Sequence, residues 1–357
     1  MPKQETSNSE RQPSTANEGS SQMAEARPSE HAPSESIDEN ARPIAPSTSA
    51  AQDTASDFPE SKPGYKSGVV ALIGRPNAGK STLLNHLIGE KIAIVSSKPQ
   101  TTRTRISGVL TRDRGQIVFL DTPGIHKPGY KLNRRMMSIV SDALATVDLI
   151  LLMVDASEPM GAGDRFVLNM LKPITTPAFL ILNKVDALRA KARLLPRIGA
   201  YANEREFAEV MPISALTGDG VELLVDKAFA YLHEGPPLYP EDELTDQPER
   251  VIAAELVREK ILEATGDEVP YVTAVITEAW EETTDLTRIN CLIYVERPAH
   301  RAIVIGKGGA RLKEIGTAAR RDIEKLLGRH VFLSLFIKVR EHWRDDERAL
   351  DELGIRS

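Results

Sequence analysis

Two glycine-lysine loops, about 230 residues apart, carry the residue types that handle phosphate. The first runs Gly74, Arg75, Pro76, Asn77, Ala78, Gly79, Lys80, Ser81, with Thr82 behind it. It fits G-x-x-x-x-G-K-[ST], in which backbone N–H groups and the positive end of the following helix cradle phosphate oxygens. Lys80 would reach the β- and γ-phosphates, and the Ser81 hydroxyl would ligate Mg²⁺. The second loop is Gly306, Lys307, Gly308, Gly309, followed by Arg311 and Lys313. Its glycines let bare backbone approach a sugar-phosphate chain, and Lys307 meets the charge. A tight helix-to-helix turn would also use glycine, so the second loop needs its context.

Four further stretches could complete a nucleotide site. Asp121-Thr122-Pro123-Gly124 would end a strand, where a carboxylate can hold Mg²⁺ through water and the Gly124 N–H can sense a γ-phosphate. Gln100, Thr101, Thr102, Arg103 and Thr104 form a polar loop from which a threonine could close over the metal. Both loops are natural switches, ordered by γ-phosphate and Mg²⁺ and released by hydrolysis. Asn183-Lys184-Val185-Asp186 selects the base. A carboxylate at Asp186 can accept from guanine N1–H and the 2-amino group, whereas adenine would leave it unpaired. Alone the tetrapeptide also suits a charged loop, but Ser214-Ala215-Leu216 after the next strand strengthens the guanine reading. Lys80, Thr102 and Gly124 are the candidate catalytic groups. Ile125 follows Gly124 and can neither donate nor accept a hydrogen bond, so it cannot orient the attacking water as the glutamine of Ras-type GTPases does. That contribution must come from backbone, an ion or a partner.

The elements that must position these groups follow from periodicity. Strands are expected at 69–73, 106–110, 116–120, 149–154, 178–182 and 209–212, several apolar throughout, as parallel strands buried on both faces require. Helices are expected near 80–87, 133–145, 163–171 and 221–232. The pattern predicts a doubly wound α/β domain over residues 64–235. A Pro- and acid-rich stretch at 236–250 reads as a linker. Beyond it the order helix, strand, strand, helix, glycine loop, helix, strand fills 251–343, and 344–357 reads as a C-terminal tail.

Residues 1–63 read as a disordered tail, rich in Ser, Pro, Glu and Ala, with too little apolar surface to offset chain entropy. Residues 1–60 hold four basic against eleven acidic side chains, so the net charge of −6 is the tail's and the remainder stands at +1. Residues 297–340 hold eleven basic side chains against three acidic, a local +8 around the second loop. Such a stretch suits single-stranded RNA, and it allows peripheral contact with a membrane. No transit or signal peptide pattern and no apolar run of spanning length is present. The lone Cys291 excludes a disulfide framework and reads as a buried structural residue, which fits a reducing compartment. A cytoplasmic monomer is expected.

GRPNAGKS, QTTRT, DTPGIHKP, NKVD and SAL, followed by VIGKGGARLKEIG, together resemble the Era family of bacterial GTPases over about residues 66–343. The resemblance implies a P-loop GTPase domain followed by a type II KH domain. It implies that Lys80 and Ser81 hold phosphate and Mg²⁺, that Thr102 is the switch threonine on the metal, and that Asp121 is its outer-shell carboxylate. Asn183, Lys184 and Asp186 would read guanine, with backbone help from Ser214, Ala215 and Leu216, and Asn77 could hold a K⁺ ion beside the phosphates. The implied function is slow GTP hydrolysis to GDP, coupled to the 3′ end of 16S rRNA and to maturation of the 30S subunit, with peripheral association at the inner membrane. Two other readings remain open: an RNA-binding protein in which hydrolysis is incidental, and a GTPase in RNA modification, which the absence of a second catalytic constellation weakens.

Overall fold

The computed structural model describes residues 62–98, 100–125, 129–266 and 269–355. The acidic tail up to Ser61 and His126 to Pro128 of the second switch loop lie outside the described residues. The chain runs β1 (Lys66–Gly74), α1 (Lys80–Ile88), β2 (Ile106–Arg112), β3 (Gly115–Asp121), α2 (Lys131–Thr146), β4 (Leu149–Asp155), α3 (Ala162–Leu171), β5 (Ala178–Asn183), α4 (Leu194–Ala202), β6 (Glu209–Pro212), α5 (Val221–Tyr231) and β7 (His233–Glu234). One sheet orders these strands β2-β3-β1-β4-β5-β6, with the short β7 pairing antiparallel to β1. β2 is antiparallel to β3, and the other pairs along that order are parallel.

Alternation along β1 explains the two layers. Val70 and Leu72 face one way, into a core shared with α1 and α5, while Ala71 and Ile73 face the other, toward α2, α3 and α4. Both faces are thus covered, as parallel sheets require. The strands and helices expected from periodicity lie where they were placed, within a residue or two at most ends. α4 and β7 were not expected. α4 spans only nine residues and holds Pro196 and Gly199, which blur the helical signal, and β7 is a two-residue pairing with no pattern of its own.

The second module follows as α6 (Glu249–Ala264), α7 (Val269–Val272), β8 (Thr273–Glu282), β9 (Leu286–Val295), α8 (Pro298–Ile305), α9 (Ala310–Leu327), β10 (His330–Val339) and α10 (Glu347–Glu352). Its sheet is ordered β10-β9-β8, with β9 antiparallel to β8 and parallel to β10. One face packs on α6 and α9 through Ile289, Cys291, Ile293, Ile315 and Ile323. Cys291 is a fully buried free thiol, and burial pushes its pKa up to about 11.

Two segments behave differently from the expectation. The stretch at 236–250 is fixed along the β2–β3 edge: Gln116 Oε1 accepts from the backbone N–H groups of Leu238 and Tyr239, and the Val109 N–H donates to the Leu244 carbonyl. Residues 344–355 are not a loose tail. Leu350 and Ile355 are buried with Leu132 and Met136 of α2 and with Trp343, because α2 presents an apolar stripe that the first module leaves open.

Candidate nucleotide site and nucleic-acid interface

The phosphate loop sits between β1 and α1, as the motif needs. Gly79 has φ 95°, and a Cβ there would come within 2.1 Å of Asn183 Nδ2, so only glycine fits. Asn77 is also left-handed, at φ 64°, and its amide Nδ2 donates to the Ser97 carbonyl at 2.6 Å. Its Oδ1 has no protein partner among the described residues. Lys80 is buried, and its ammonium is satisfied only by long bonds to the Gly74 and Arg75 carbonyls, at 3.4 and 3.2 Å. Burial pushes its pKa down, and Asp121 partly offsets that. The Arg75 side chain turns away, to Asp164 in the first turn of α3 at 3.0 Å. Ala78 is buried, and Thr82 lines the cleft beside the loop with Pro76.

Three oxygens converge at the loop's end. Ser81 Oγ lies 3.0 Å from Thr102 Oγ1, and both donate to Asp121 Oδ2, at 2.5 and 3.1 Å. Asp121 is fully buried, and its Oδ1 has no hydrogen-bond partner. Burial pushes its carboxyl pKa up, against the pull of Lys80, Ser81 and Thr102. An orphaned buried carboxylate oxygen beside two hydroxyls is the donor set that a hard divalent cation and its waters would complete, and the cation would hold the carboxyl ionised. Ser81 and Thr102 would be the direct ligands, and Asp121 would act through water.

Behind this cluster, Thr122 Oγ1 donates to the Leu72 carbonyl and Pro123 leads into Gly124, which faces the cleft opposite Pro76. The Ile125 N–H donates to the Gly74 carbonyl, and its side chain is buried in the core. Ile125 is therefore a packing residue pointed away from the phosphates. Gln100, Thr101 and Thr102 close the other wall of a cleft of about 250 Å³.

At the base end the geometry shows how each residue of the motif is held. Asn183 is buried, with its Nδ2 donating to the Ala78 carbonyl at 2.8 Å and its Oδ1 accepting from the Ala215 N–H at 2.9 Å. Its amide thus ties three loops together, and the second N–H of Nδ2 has no partner among the described residues. Lys184, left-handed at φ 66°, pairs with Asp155 at 2.6 Å, and Val185 packs into the core. Asp186 is exposed and its carboxylate is oriented by Ser214 Oγ at 2.6 Å, which leaves an oxygen for guanine. The Ser214 N–H is taken by the Asp219 carbonyl and that of Ala215 by Asn183. Leu216, 74% exposed, keeps its N–H without a partner among the described residues.

The second loop has the conformation that its glycines allow: Gly306, Gly308 and Gly309 sit at φ 73°, 58° and 80°. Nothing lies within 4 Å of where a Cβ would stand on Gly308 or Gly309, so this backbone is open to an incoming chain. Lys307 and Lys313 are exposed, while Arg311 bonds back to the Ile303 carbonyl at 2.5 Å. A cleft of about 450 Å³ continues from Gly309 between α9 and β10, lined by Leu312, Gly316, Arg320, Leu333 and Leu335. The sequence reading missed these residues. Their signal is the spacing 309, 312, 316, 320 along one helix face.

The two sites are joined through the residues flanking Thr102. The Thr101 carbonyl accepts from the Arg258 guanidinium of α6, which is itself clamped by Glu255. Arg103 reaches the Thr273 and Pro270 carbonyls, at 2.7 and 3.0 Å, and lies 5.4 Å from the centroid of Trp343. Burial, reinforced by Arg258, lowers its pKa to about 9, so it stays charged at neutral pH. Thr104, on the far side, lines a pocket with Arg258 and Ile355. Upstream, Lys91 bonds Glu259 and Asp322, and the Val95 N–H bonds Glu259 Oε1 at 2.9 Å. α2, which follows the other switch loop, docks through Arg135 on Asp351 and the Ile355 carbonyl. These cross-module hydrogen-bond partners could not be read from sequence, because each lies 157 to 231 residues from its mate.

Comparison with known proteins agrees with this geometry. Residues 69–184 match a family model described as a 50S ribosome-binding GTPase, and residues 268–344 match the KH domain. A crystal structure of an Era variant from Aquifex aeolicus bound to GDP·AlF4⁻ is 41% identical, with a TM-score of 0.79, and the match covers 82% of this chain and 100% of that one. Era in complex with MgGDPNP and nucleotides 1506–1542 of 16S ribosomal RNA is also 41% identical over the same shares, with a TM-score of 0.80. With the whole of those relatives matched and both modules in the same order, this chain belongs to the Era family of GTPases.

Proposed function

We propose that this protein is a slow GTP-hydrolysing switch, using GTP/GDP and Mg²⁺, that binds the 3′ end of 16S rRNA and assists maturation of the 30S subunit. Residues 64–235 act as the switch and 251–343 as the RNA reader. The observation that carries the reading is the placement of Thr102: its hydroxyl bonds Asp121 beside Ser81, while its neighbours Thr101 and Arg103 are bonded to the KH module. Loss of the γ-phosphate would free Thr102, and with it the hold on that module. Sequestered single-stranded RNA would in turn bias the switch by the same coupling energy.

Within the site, Lys80 and the loop N–H groups neutralise the phosphates, and the Gly124 N–H faces the γ-phosphate. Asp186 selects guanine. The side chain of Ile125 is buried and apolar, so it cannot orient water, which supports basal turnover at roughly 10⁻⁴ to 10⁻³ per second. The free Oδ1 of Asn77 suits a K⁺ ion beside the phosphates, and turnover compared in K⁺ and Na⁺ tests it. The same burial of Ile125 favours a second reading, in which GTP is a structural ligand and hydrolysis is incidental.

The test is turnover of the full chain with and without 30S precursors or the 16S 3′-end RNA, on wild type and Gly308→Asp. Stimulation that Gly308→Asp abolishes supports the switch, whereas a rate indifferent to RNA leaves the structural-ligand reading. A monomer in the cytoplasm suffices for this role. Among the described residues no helix is long and apolar enough to cross a membrane; the basic face around Lys307 suits peripheral contact with the inner membrane.

A further inference from the structure

The three-stranded KH sheet has one face that is only half covered. Val331, Leu333, Leu335 and Ile337 of β10 point toward α6 and α9. On the opposite face, Ala274, Leu292 and Tyr294 are capped by Leu132, Met136, Trp343 and Leu350. The cap ends at β9. On the same face of β10, Phe332 and Phe336 remain 53% and 54% exposed. The register sets Phe332 beside Arg288, Ser334 beside Asn290, Phe336 beside Leu292 and Lys338 beside Tyr294. Arg288 lies 5.6 Å from the centroid of the Phe332 ring, within cation–π range. Arg288 and Lys338 form no ion pair among the described residues, unlike Arg329 and Arg340, whose charges are spent on Glu282 and on Asp346 and Glu352.

Two features say what would cover this strip. First, its chemistry alternates: two aromatic rings about 13 Å apart along the strand, polar Ser334 and Asn290 between them, and free cations at each end. A protein contact core would be more uniformly apolar, whereas rings interleaved with unpaired cations suit stacked bases and a phosphate backbone. Neither β9 nor β10 carries an acidic residue, and Glu281 of β8 stands opposite Arg288 in the register. Second, the strip and the cleft that starts at the glycine loop share the strand β10, on its two faces. Leu333 and Leu335 line that cleft from one side of β10, while Phe332 and Phe336 stand on the other, and β10 is the edge of the sheet. A strand of RNA that fills the cleft, about four nucleotides' worth, would reach the strip by crossing this edge.

We propose that Phe332 and Phe336 form a second stacking platform for single-stranded RNA that continues out of the cleft, with Arg288 and Lys338 holding its phosphates. The inference rests on the RNA-reader assignment above and extends it to bases outside the cleft. Base stacking on an aromatic ring is worth about 1 to 3 kcal/mol, so losing both rings should weaken binding at least tenfold where the RNA reaches them.

The test uses the full chain and fluorescence anisotropy with three labelled RNAs of shared sequence, one just long enough for the cleft and two extended by about six nucleotides, one at each end. Phe332→Ala with Phe336→Ala is expected to weaken one extended RNA by tenfold or more and to leave the short RNA unchanged. Arg288→Ala should lower the salt dependence of that extended complex alone. Equal loss for short and extended RNA would mark a structural effect and overturn the platform. So would no loss for either, including the case in which the double variant instead loses a ribosomal protein. Gly308→Asp separates the two claims: if wild type and Gly308→Asp bind the short RNA alike, the reader assignment itself fails.

Discussion

Replacing Arg103 by alanine should uncouple the nucleotide from the RNA module while leaving both folded. Arg103 donates two charge-assisted hydrogen bonds, to the carbonyls of Thr273 and Pro270, and stacks over Trp343. The bonds are worth about 1.5 to 3 kcal/mol each, and a desolvated cation–π contact about 1 to 2. Against them stands the cost of burying the guanidinium, several kcal/mol, raised further by Arg258. The net loss on docking should be about 2 to 4 kcal/mol, roughly 30- to 1,000-fold in the docking equilibrium. Two assays read it. RNA affinity measured with GDP and with a non-hydrolysable GTP analogue should differ in wild type, and the ratio should fall toward one in Arg103→Ala. Emission of Trp343, now fully buried, should shift to the red in a Trp280→Phe background as the contact opens. Arg103→Lys should behave like alanine, because an ammonium cannot fork to two carbonyls. An unchanged affinity ratio together with unshifted Trp343 emission would refute the coupling.

Three further outcomes follow from single sites. Asp186→Asn should lose GTP affinity by at least about tenfold and gain affinity for xanthosine nucleotides, since an amide can donate to a 2-oxo group; displacement of a fluorescent nucleotide measures both. Cys291, buried and with its pKa pushed up to about 11, should resist a thiol reagent at pH 8 in the native protein and react fully in denaturant. Burial alone would raise the carboxyl pKa of Asp322, but Lys260 and Lys91 outweigh it and hold it below the usual range. The docking it supports is therefore intact above the ordinary aspartate pKa of about 4 and lost as pH falls through the depressed value. Trp343 emission followed from pH 6 to 3 should stay constant to about pH 4 and then report opening.

The Lys80 and Ser81 loop, Asp121, Asp186 and the Gly306 to Gly309 loop were legible because each motif sits within a few residues of the strand or helix that positions it. Strand and helix periods were equally clear, since every buried face repeats locally. Asn183 is instructive: its place in the motif suggested a base reader, but not that its amide also ties two distant loops, donating to the Ala78 carbonyl and accepting from the Ala215 N–H. Residues 344–355 failed for a related reason. A short polar-looking helix reads as a tail until the apolar stripe of α2 provides its partner.

By itself, the sequence determined the two modules, the nucleotide chemistry and the presence of a basic loop, because phosphate loops and sheet strands are specified by neighbours in the chain. Tertiary structure alone decided which groups work together. The grip of Arg103 and Arg258 on the switch loop and the aromatic strip on β10 join residues distant in sequence or sort one strand's two faces. Burial is what gives those contacts their strength: the charges flanking Thr102 are withdrawn from water, so each keeps the partner the fold supplies.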